Sequence, residues 1–413
     1  MNFDDTPQEA EFRKKVRSWI EENAPQYLLP YLQKASFATL ELGDYDVLAE
    51  SRAWRKKKFD AGWSCISWPK EYGGLGASPI ERVIWGQEEG YYAALGGLFT
   101  IGEGMCGPTV MAFADEDQKK RYLPKLASGE EVWCQLFSEP ASGSDLAGLT
   151  TKAISDGDDW VINGQKIWTS GAQNSDFGLL ITRTDPTVAK HQGLTMFFLN
   201  MKSAGIEIRP IKQANGQSGF NEVYFTDVRI PDAQRLGQVG DGWKVALTTL
   251  MNERLSIGGS MPTGFPEMLA MVKTLSTVEG LAIKDRAVRE KLADWHCRAS
   301  GLKYTSARLT SALSRGDTPG PEASIGKLVA GAMMQEIAMA ALDLQDLSGL
   351  MVDPEQAELS ARFQSILLRS PATRVEGGTD EILRNIIAER VLGLPGDIRA
   401  DKGLAFKDIP TNR

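Results

Sequence analysis

Histidine is almost missing from this chain. Its 413 residues include two, His191 and His296, far apart in sequence. A histidine metal centre and a Ser-His-Asp triad both need imidazoles brought together with other ligands or partners, so neither is expected. Cysteine is scarce too. Cys65, Cys106, Cys134 and Cys297 are scattered with no C-x-x-C spacing, the pattern of reduced, mostly buried thiols in a cytoplasmic protein. No apolar run reaches the ~18 residues that a transmembrane helix needs, so no membrane span is expected. The acidic start Met1-Asn2-Phe3-Asp4-Asp5 has no apolar core of a signal peptide and does not read as a mitochondrial transit peptide. Positive charge is in deficit: 46 Lys and Arg face 54 Asp and Glu, a net charge of −8. That balance argues against a nucleic-acid surface. The one compact basic run, Arg55-Lys56-Lys57-Lys58, reads as a solvated helix face. Repeats and low-complexity tracts are missing as well.

With 42% hydrophobic residues, a chain of this length can bury the cores of two or three cooperating domains. From about Pro7 to Glu130 the pattern is helical. Phe12, Val16 and Ile20 lie at helical spacing, and Ile80–Tyr92, Leu98–Ala114 and Asp117–Ala127 continue the pattern. From about Val132 to Ile230 it changes to strands and turns, with strands expected at Val161-Ile162, Leu179–Thr182, Leu194–Leu199 and Ile206–Ile208. From Gly242 onward helices return: Trp243–Ile257, Ala282–Ser314, Glu322–Leu347, Pro354–Leu368 and Asp380–Leu392. Arg315–Pro321 reads as a linker, and Gly393-Leu394-Pro395 as a stop. The division is an N-terminal helical domain (1–130), a middle β domain (131–232) and a C-terminal helical bundle (233–413).

The densest segment chemically is EVWCQLFSEPASGSDLAGLTTKA, residues 131–153. Pro140 interrupts regular structure after an apolar run, and Gly143 lets the backbone approach a ligand. Ser142, Ser144 and Asp145 then offer hydroxyls, a carboxylate and free N–H groups, a turn suited to a phosphate or a flat polar ring. The plain alternative is a strand-to-loop junction. Downstream, Asn163-Gly164 between two β-rich runs signals a hairpin. The second run ends on Trp168-Thr169-Ser170, an indole beside two small hydroxyls that could cover and hydrogen-bond one face of a planar cofactor. The plain alternative is a core Trp with surface Thr and Ser.

Together these segments resemble the acyl-CoA dehydrogenase family, in its T/S-E-P-x-A-G-S-D turn and N-G-x-K-x-W strand. Ser67-Trp68-Pro69-Lys70-Glu71-Tyr72-Gly73-Gly74, Phe220–Pro231 and the C-terminal Glu376-Gly377-Gly378-Thr379-Asp380-Glu381-Ile382 and Arg384–Arg390 are similar to further family motifs, in family order. The resemblance implies a mostly α chain with a central β-barrel-like domain and a C-terminal four-helix bundle. It also implies FAD as cofactor, an acyl-CoA substrate, an electron-transferring flavoprotein as electron acceptor, and a homodimer or homotetramer. Phe137, Ser138, Gly143, Ser144, Trp168, Thr169 and Ser170 match family flavin contacts, with Ser170 the candidate near flavin N5. Thr379 and Glu381 match contacts to the adenosine side of FAD. Ser144, Leu250 and Arg254 match the substrate side.

Desaturation between Cα and Cβ of a thioester needs a base for the α proton and an acceptor for the β hydride. No side chain accepts hydride, so a flavin is required. The base must be a carboxylate near Cα in apolar surroundings. The family position directly before Gly-Thr is Gly377 here, with Glu376 displaced by one residue, which re-aims a side chain too far for a fixed site. A second subgroup carries its base in L-x-x-E-R-L on the first helix after the middle domain, matched by Leu250-Met251-Asn252-Glu253-Arg254-Leu255. Glu253 is therefore the expected base and Glu376 the alternative. Helical spacing sets Trp243, Leu247, Leu250 and Arg254 near one face, with Glu253 on its flank. The family's adenine-end motifs are altered: Arg286 is one residue out of place, His296 stands for a Gln, and Ser348 and Met351 stand for glycines. Two other readings stay open. One is a partner subunit of a heteromeric dehydrogenase that lends fold but not a complete site; the other is an oxidase or desulfinase of the same fold.

Overall fold

The computed structural model describes residues 5–35, 40–258, 263–316, 320–399 and 401–410, with backbone alone for 254–258 and 358. Helices come first: α1 (Pro7–Asn23), α2 (Leu29–Leu32), α3 (Val47–Asp60), α4 (Pro79–Glu89), α5 (Gly107–Phe113) and α6 (Glu116–Ser128). Strands follow: β1 (Trp133–Leu136), β2 (Lys152–Asp156), β3 (Asp159–Ser170), β4 (Phe177–Arg183), β5 (Leu194–Asn200), β6 (Ile206–Ile211), β7 (Phe220–Pro231) and β8 (Arg235–Leu236). Helices then resume with α7 (Gly242–Gly258) and α8 (Phe265–Thr274), a small β9–β10 hairpin (Ser276–Thr277, Gly280–Leu281), α9 (Arg286–Ser314), α10 (Ala323–Gln345), α11 (Arg362–Thr373) and α12 (Asp380–Arg390). The expected helix, sheet, helix order stands.

Local chemistry starts the helices. Thr6, Ser78 and Asp115 accept hydrogen bonds from the N–H groups of Glu9, Glu81 and Gln118, whose side chains return the bond to the cap residue's own N–H. Two expectations fail here. The helix expected from Pro354 begins only at Arg362, because Leu359, Ser360 and Ala361 all take left-handed φ and Asp353 turns the chain by accepting from the Glu355 N–H. The helix α8 was not foreseen, although Gly264 and Pro266 mark its start. The centre of the expected linker, 317–319, lies outside the described residues.

Two compact units divide the chain. One comprises 1–47, 78–94 and 254–396. Within it α10 packs against α8, α9, α11 and α12 over a core that includes Met271, Trp295, Met333, Ile337 and Phe363. That helix is long and apolar enough to cross a membrane, but half of its apolar window is buried in this core.

The other unit comprises 48–77, 95–253 and 397–413. Its sheet runs β6-β7-β3-β2-β4-β5-β8, with β1 added parallel to β4. Both faces of β4 and β5 are covered, which explains their unbroken apolar runs. Leu179, Ile181, Met196 and Phe198 join the core shared with α5, α6 and α7, whereas Leu180, Phe197 and Leu199 join the core on the opposite face. The basic run on α3 is solvated only in part, at Lys56 and Lys57. Arg55 is 2% and Lys58 5% exposed. Arg55 donates from Nε to Ala127 O (2.9 Å), from Nη1 to the Glu103 carboxylate and from Nη2 to Cys65 Sγ (2.8 Å), so its charge ties α3 to the α5–α6 region. Cys65, Cys106 and Cys134 are buried free thiols, and Cys297 is exposed.

The expected Asn163-Gly164 hairpin is also corrected. The turn lies at Gly157-Asp158, since Asp156 pairs with Asp159 and Lys152 with Asn163, and β3 runs straight through Asn163-Gly164. The dipeptide forms a bulge opposite β7, where the register shifts between Ile162 and Gly164. The Asn163 side chain brackets Asp227, donating to its carboxylate (2.9 Å) and accepting from its N–H (3.1 Å). Gly164 has φ +153°, and a Cβ there would lie 2.5 Å from Thr151 Oγ1. Gly164→Ala should cost about 1–3 kcal/mol of local strain, read as a lowered thermal midpoint with the fold retained by circular dichroism; an unchanged midpoint would refute the close approach.

Candidate active site

The turn after β1 is built on a buried carboxylate. Glu139, 6% exposed, accepts from the N–H groups of Thr150 (2.7 Å) and Thr151 (2.8 Å), from Thr150 Oγ1 (2.8 Å) and from Lys166 Nζ (2.9 Å). Lys166, on β3, is fully buried and also donates to Phe137 O (3.0 Å). The Ile167 N–H donates to Ser138 O (2.9 Å), laying the turn along β3. Glu139 and Ser142 exchange backbone bonds around Pro140-Ala141. Burial works to raise the Glu139 pKa, but the Lys166 ammonium and the N–H donors override it and bring the carboxyl down to about 2. Burial dominates at Lys166 and draws it down to about 8 against the pull of Glu139. No role was anticipated for either residue. The available signal was a lysine at an inward position of a strand otherwise filled by Trp160 and Ile162.

Beyond the clamp, Gly143, Ser144 and Asp145 are exposed. A Cβ on Gly143 would meet nothing within 4 Å, so the protein's own packing does not require glycine there, and a ligand can approach its backbone. Asp145 is held by Lys190 Nζ at 2.8 and 2.9 Å.

On the neighbouring strand, a second register shift between Lys166 and Thr169 puts Trp168 at φ +59°. Its indole is 56% exposed, and the Phe220 ring meets it edge-on at 6.1 Å. Trp168 is thus neither core nor ordinary strand. Thr169 is 1% exposed, and its Oγ1 has no hydrogen-bond partner among the described residues. Asn221 supports it from β7, donating to Thr169 O (2.9 Å). An open glycine backbone, a presented indole and an unpaired buried hydroxyl fit a planar, hydrogen-bonding group such as a flavin ring.

The helix α7 reaches the same neighbourhood through the core. Val245 and Ala246 belong to the cluster that holds Phe137, Leu146, Ala147 and Leu149 of the turn, and Trp243 and Leu250 pack against it. Thr249 is fixed to α5 by a hydroxyl pair with Thr109 at 2.9 Å. The expected helix face is corrected: Leu247 is 42% exposed, and the buried face runs through Gly242, Val245, Ala246 and Thr249. Glu253, half-buried, is one turn beyond Thr249 on that face rather than on its flank. The Arg254 side chain lies outside the described residues.

The remaining candidates belong to the other unit. Glu376 makes a two-pronged ion pair with Arg369 (3.0 and 2.7 Å). Thr379 caps α12, accepting from the Ile382 N–H at 3.2 Å, and Glu381 lies in the first turn. Gly377 and Gly378, at φ +64° and +98°, form the turn before them. Arg286 is 93% exposed and pairs with Glu290, and His296 meets Phe265 at 5.7 Å.

Family models cover nearly the whole chain: acyl-CoA dehydrogenase N-terminal domain over residues 6–130, middle domain over 134–228 and C-terminal domain over 240–392. The chain belongs to the acyl-CoA dehydrogenase family. Acyl-CoA dehydrogenase IpdE1 of Mycobacterium tuberculosis is 36% identical over 94% of this chain and 98% of its own length. Among solved structures, the Tcur3481–Tcur3483 steroid ACAD is similar with a TM-score of 0.79 at 27% identity, covering 96% of this chain and all of the other. The ChsE4–ChsE5 complex of Mycobacterium tuberculosis matches with TM-score 0.79 at 28% identity over the same shares. The enzyme is an acyl-CoA dehydrogenase, and FAD is the family's cofactor.

Two outcomes test the site. Because the Glu139 pKa is lowered from 4.5 to about 2, its stabilisation is complete above pH 4.5 and is lost as pH falls toward 2. Glu139→Gln should remove that acid-sensitive component of the denaturation profile, and Lys166→Met, which strands a buried carboxylate, should cost about 3–5 kcal/mol at pH 7 in chemical denaturation. Thr169→Val removes an unpaired buried hydroxyl. The flavin-free protein should therefore melt at the same temperature or higher while its FAD dissociation constant rises; a lowered midpoint with unchanged FAD affinity would contradict the assignment.

Proposed function

We propose that this enzyme desaturates the Cα–Cβ bond of a bulky, steroid-like acyl-CoA to the trans-2-enoyl thioester, with Glu253 removing the α proton. The observation that carries the reading is the α7 face: Glu253 continues the buried Gly242, Val245, Ala246, Thr249 row, and that row shares a core with the Phe137–Leu149 turn. The Glu376 carboxylate is paired with Arg369.

FAD, when bound, supplies the acceptor for the β hydride. Phe137, Ser138, Gly143, Ser144, Trp168, Thr169 and Ser170 would hold its ring side, and Thr379 and Glu381 its adenosine side. Ser144, Leu250 and Arg254 would orient the thioester. Proton abstraction needs a carboxylate held close to Cα, and Glu253 lies one turn beyond Thr249 on the buried face of α7. An electron-transferring flavoprotein is the proposed electron acceptor.

The substrate class is supported by the likeness to the steroid ACAD and by Gly96 and Gly97, whose added Cβ atoms would meet nothing within 4 Å. Gly107 differs: its Cβ would strike the Trp68 ring at 2.1 Å, so it serves packing.

A second reading has this chain pair with another subunit, paralogous or identical, and one observation favours such an interface. Leu347 (78%), Leu350 (77%) and Val352 (66%) are exposed next to the altered adenine-end residues Ser348 and Met351, an apolar segment suited to a subunit interface. A homodimer or homotetramer would cover it equally.

Anaerobic titration of the flavin-loaded protein with short, branched, long and steroid-like acyl-CoAs tests the main reading. One thioester should bleach the flavin, with bleaching lost in Glu253→Gln and retained in Glu376→Gln; the reverse pattern would move the base to Glu376. A protein that retains FAD only when mixed with a second chain would favour the heteromer.

A further inference from the structure

The C-terminal tail belongs to the same compact unit as the sheet and lies across the loop between β4 and β5. Ala405 bridges Ala189, the Phe406 N–H donates to Val188 O (2.8 Å) and the Lys407 N–H to Pro186 O (2.9 Å). The Arg183 guanidinium sits over the Phe406 ring, 3.7 Å from its centroid, close enough for a cation–π contact at a site where Arg183 is only 4% exposed. The same guanidinium donates to Ala147 O and Leu149 O, in the segment that follows Ser144, and to Lys190 O. Lys190 in turn holds Asp145 on one side and pairs with Asp401 of the tail on the other. Lys190 and Arg399 keep the Asp401 carboxyl well below its ordinary pKa.

Two cations therefore connect the tail to one target. Arg183 carries Phe406 to the carbonyls of Ala147 and Leu149, and Lys190 carries Asp401 to the carboxylate of Asp145. Backbone bonds alone would have sufficed to park a tail on the 184–193 loop. The side-chain links instead reach beyond it, one through Arg183 at the end of β4 and one through Lys190 of the loop, to the segment that contains Gly143 and Ser144. Its exposed residues have no such anchor from the Glu139 clamp, which grips the turn at Phe137, Glu139, Thr150 and Thr151.

We propose that the tail is a strap that positions segment 142–149 for binding the coenzyme A portion of the substrate, with Asp401 and Phe406 as its positioning residues. This rests on the reading that the segment contacts the thioester through Ser144. Holding the segment in advance removes the ordering cost from the binding step.

The test uses the full-length, flavin-loaded protein with Asp401→Asn and Phe406→Ala, the conservative Asp401→Glu and Phe406→Tyr, and Ser144→Ala as a check on the site itself. Two quantities are measured: backbone hydrogen exchange across 142–149 compared with β4 and β5, and the calorimetric dissociation constant of free coenzyme A. Asp401→Asn and Phe406→Ala should speed exchange in 142–149 alone and raise the dissociation constant about tenfold, with the conservative variants near wild type. Unchanged exchange in 142–149, or exchange accelerated equally through β4 and β5, would overturn the strap. If Ser144→Ala weakens coenzyme A binding but the tail variants do not, the strap fails and the site stands. If Ser144→Ala has no effect, the site reading fails, and the exchange data still decide whether the tail orders the segment.

Discussion

The ion pair between Glu139 and Lys166 is the constraint on which the candidate site depends. Both groups are out of water, and removing two charges from water costs several kcal/mol each unless partners replace the lost hydration. The partners here are chosen to do more than neutralise. Glu139 consumes the N–H groups of Thr150 and Thr151, and Lys166 consumes the carbonyl of Phe137. The two ends of the loop are thereby tied to the same point on β3. The chain between them has to bulge outward, and the residues of that bulge, Gly143 to Asp145, are the exposed ones. A neutral pair of apolar residues could fill the volume but could not gather backbone donors and acceptors from three segments.

Irregularities in β3 complete the arrangement. A regular strand alternates its side chains between faces, so it cannot bury Lys166 and Thr169 together while presenting Trp168. The register shift between Lys166 and Thr169 breaks the alternation, at the cost of a tryptophan in left-handed conformation. Strain of this kind persists where the surroundings over-determine it. Here the clamp on Lys166 fixes one side of the bulge and Asn221 fixes the other. The bulge at Gly164 lies earlier in the same strand and lets Thr151, a Glu139 partner, approach it.

Much of this was legible because the relevant residues are neighbours in sequence. Ser138 to Asp145, and Trp168 to Ser170, each carry their chemistry within a few residues, so composition and order suffice to single them out. What escaped depends on pairing. The Asn163-Gly164 dipeptide favours left-handed backbone in a hairpin and in a bulge alike, and only the register with β7 separates them. Arg55 and Lys58 look like surface charge until Cys65, Glu103 and the Ala127 carbonyl surround Arg55. The face of α7 was misread by about one position, since Val245 and Thr249, not Leu247, meet the core. Hydrophobicity ranks leucine above threonine, and the hydroxyl pair with Thr109 reverses that ranking. The tail carries no apolar periodicity at all, so nothing local announces its attachment to Arg183 and Lys190.

The choice of base follows from the same kind of reasoning. A general base in a flavin dehydrogenase needs a carboxylate held within reach of the α proton. The Glu376 carboxylate accepts two hydrogen bonds from Arg369, which fix where it points. Gly377 and Gly378 add a backbone turn whose left-handed φ values disfavour any residue with a side chain, so a carboxylate at position 377 would itself be strained. Glu253 follows Thr249 by one turn on the buried face of α7. The glycine turn thus disfavours a side chain directly before Gly378-Thr379, and that observation is what turns the proposal toward Glu253.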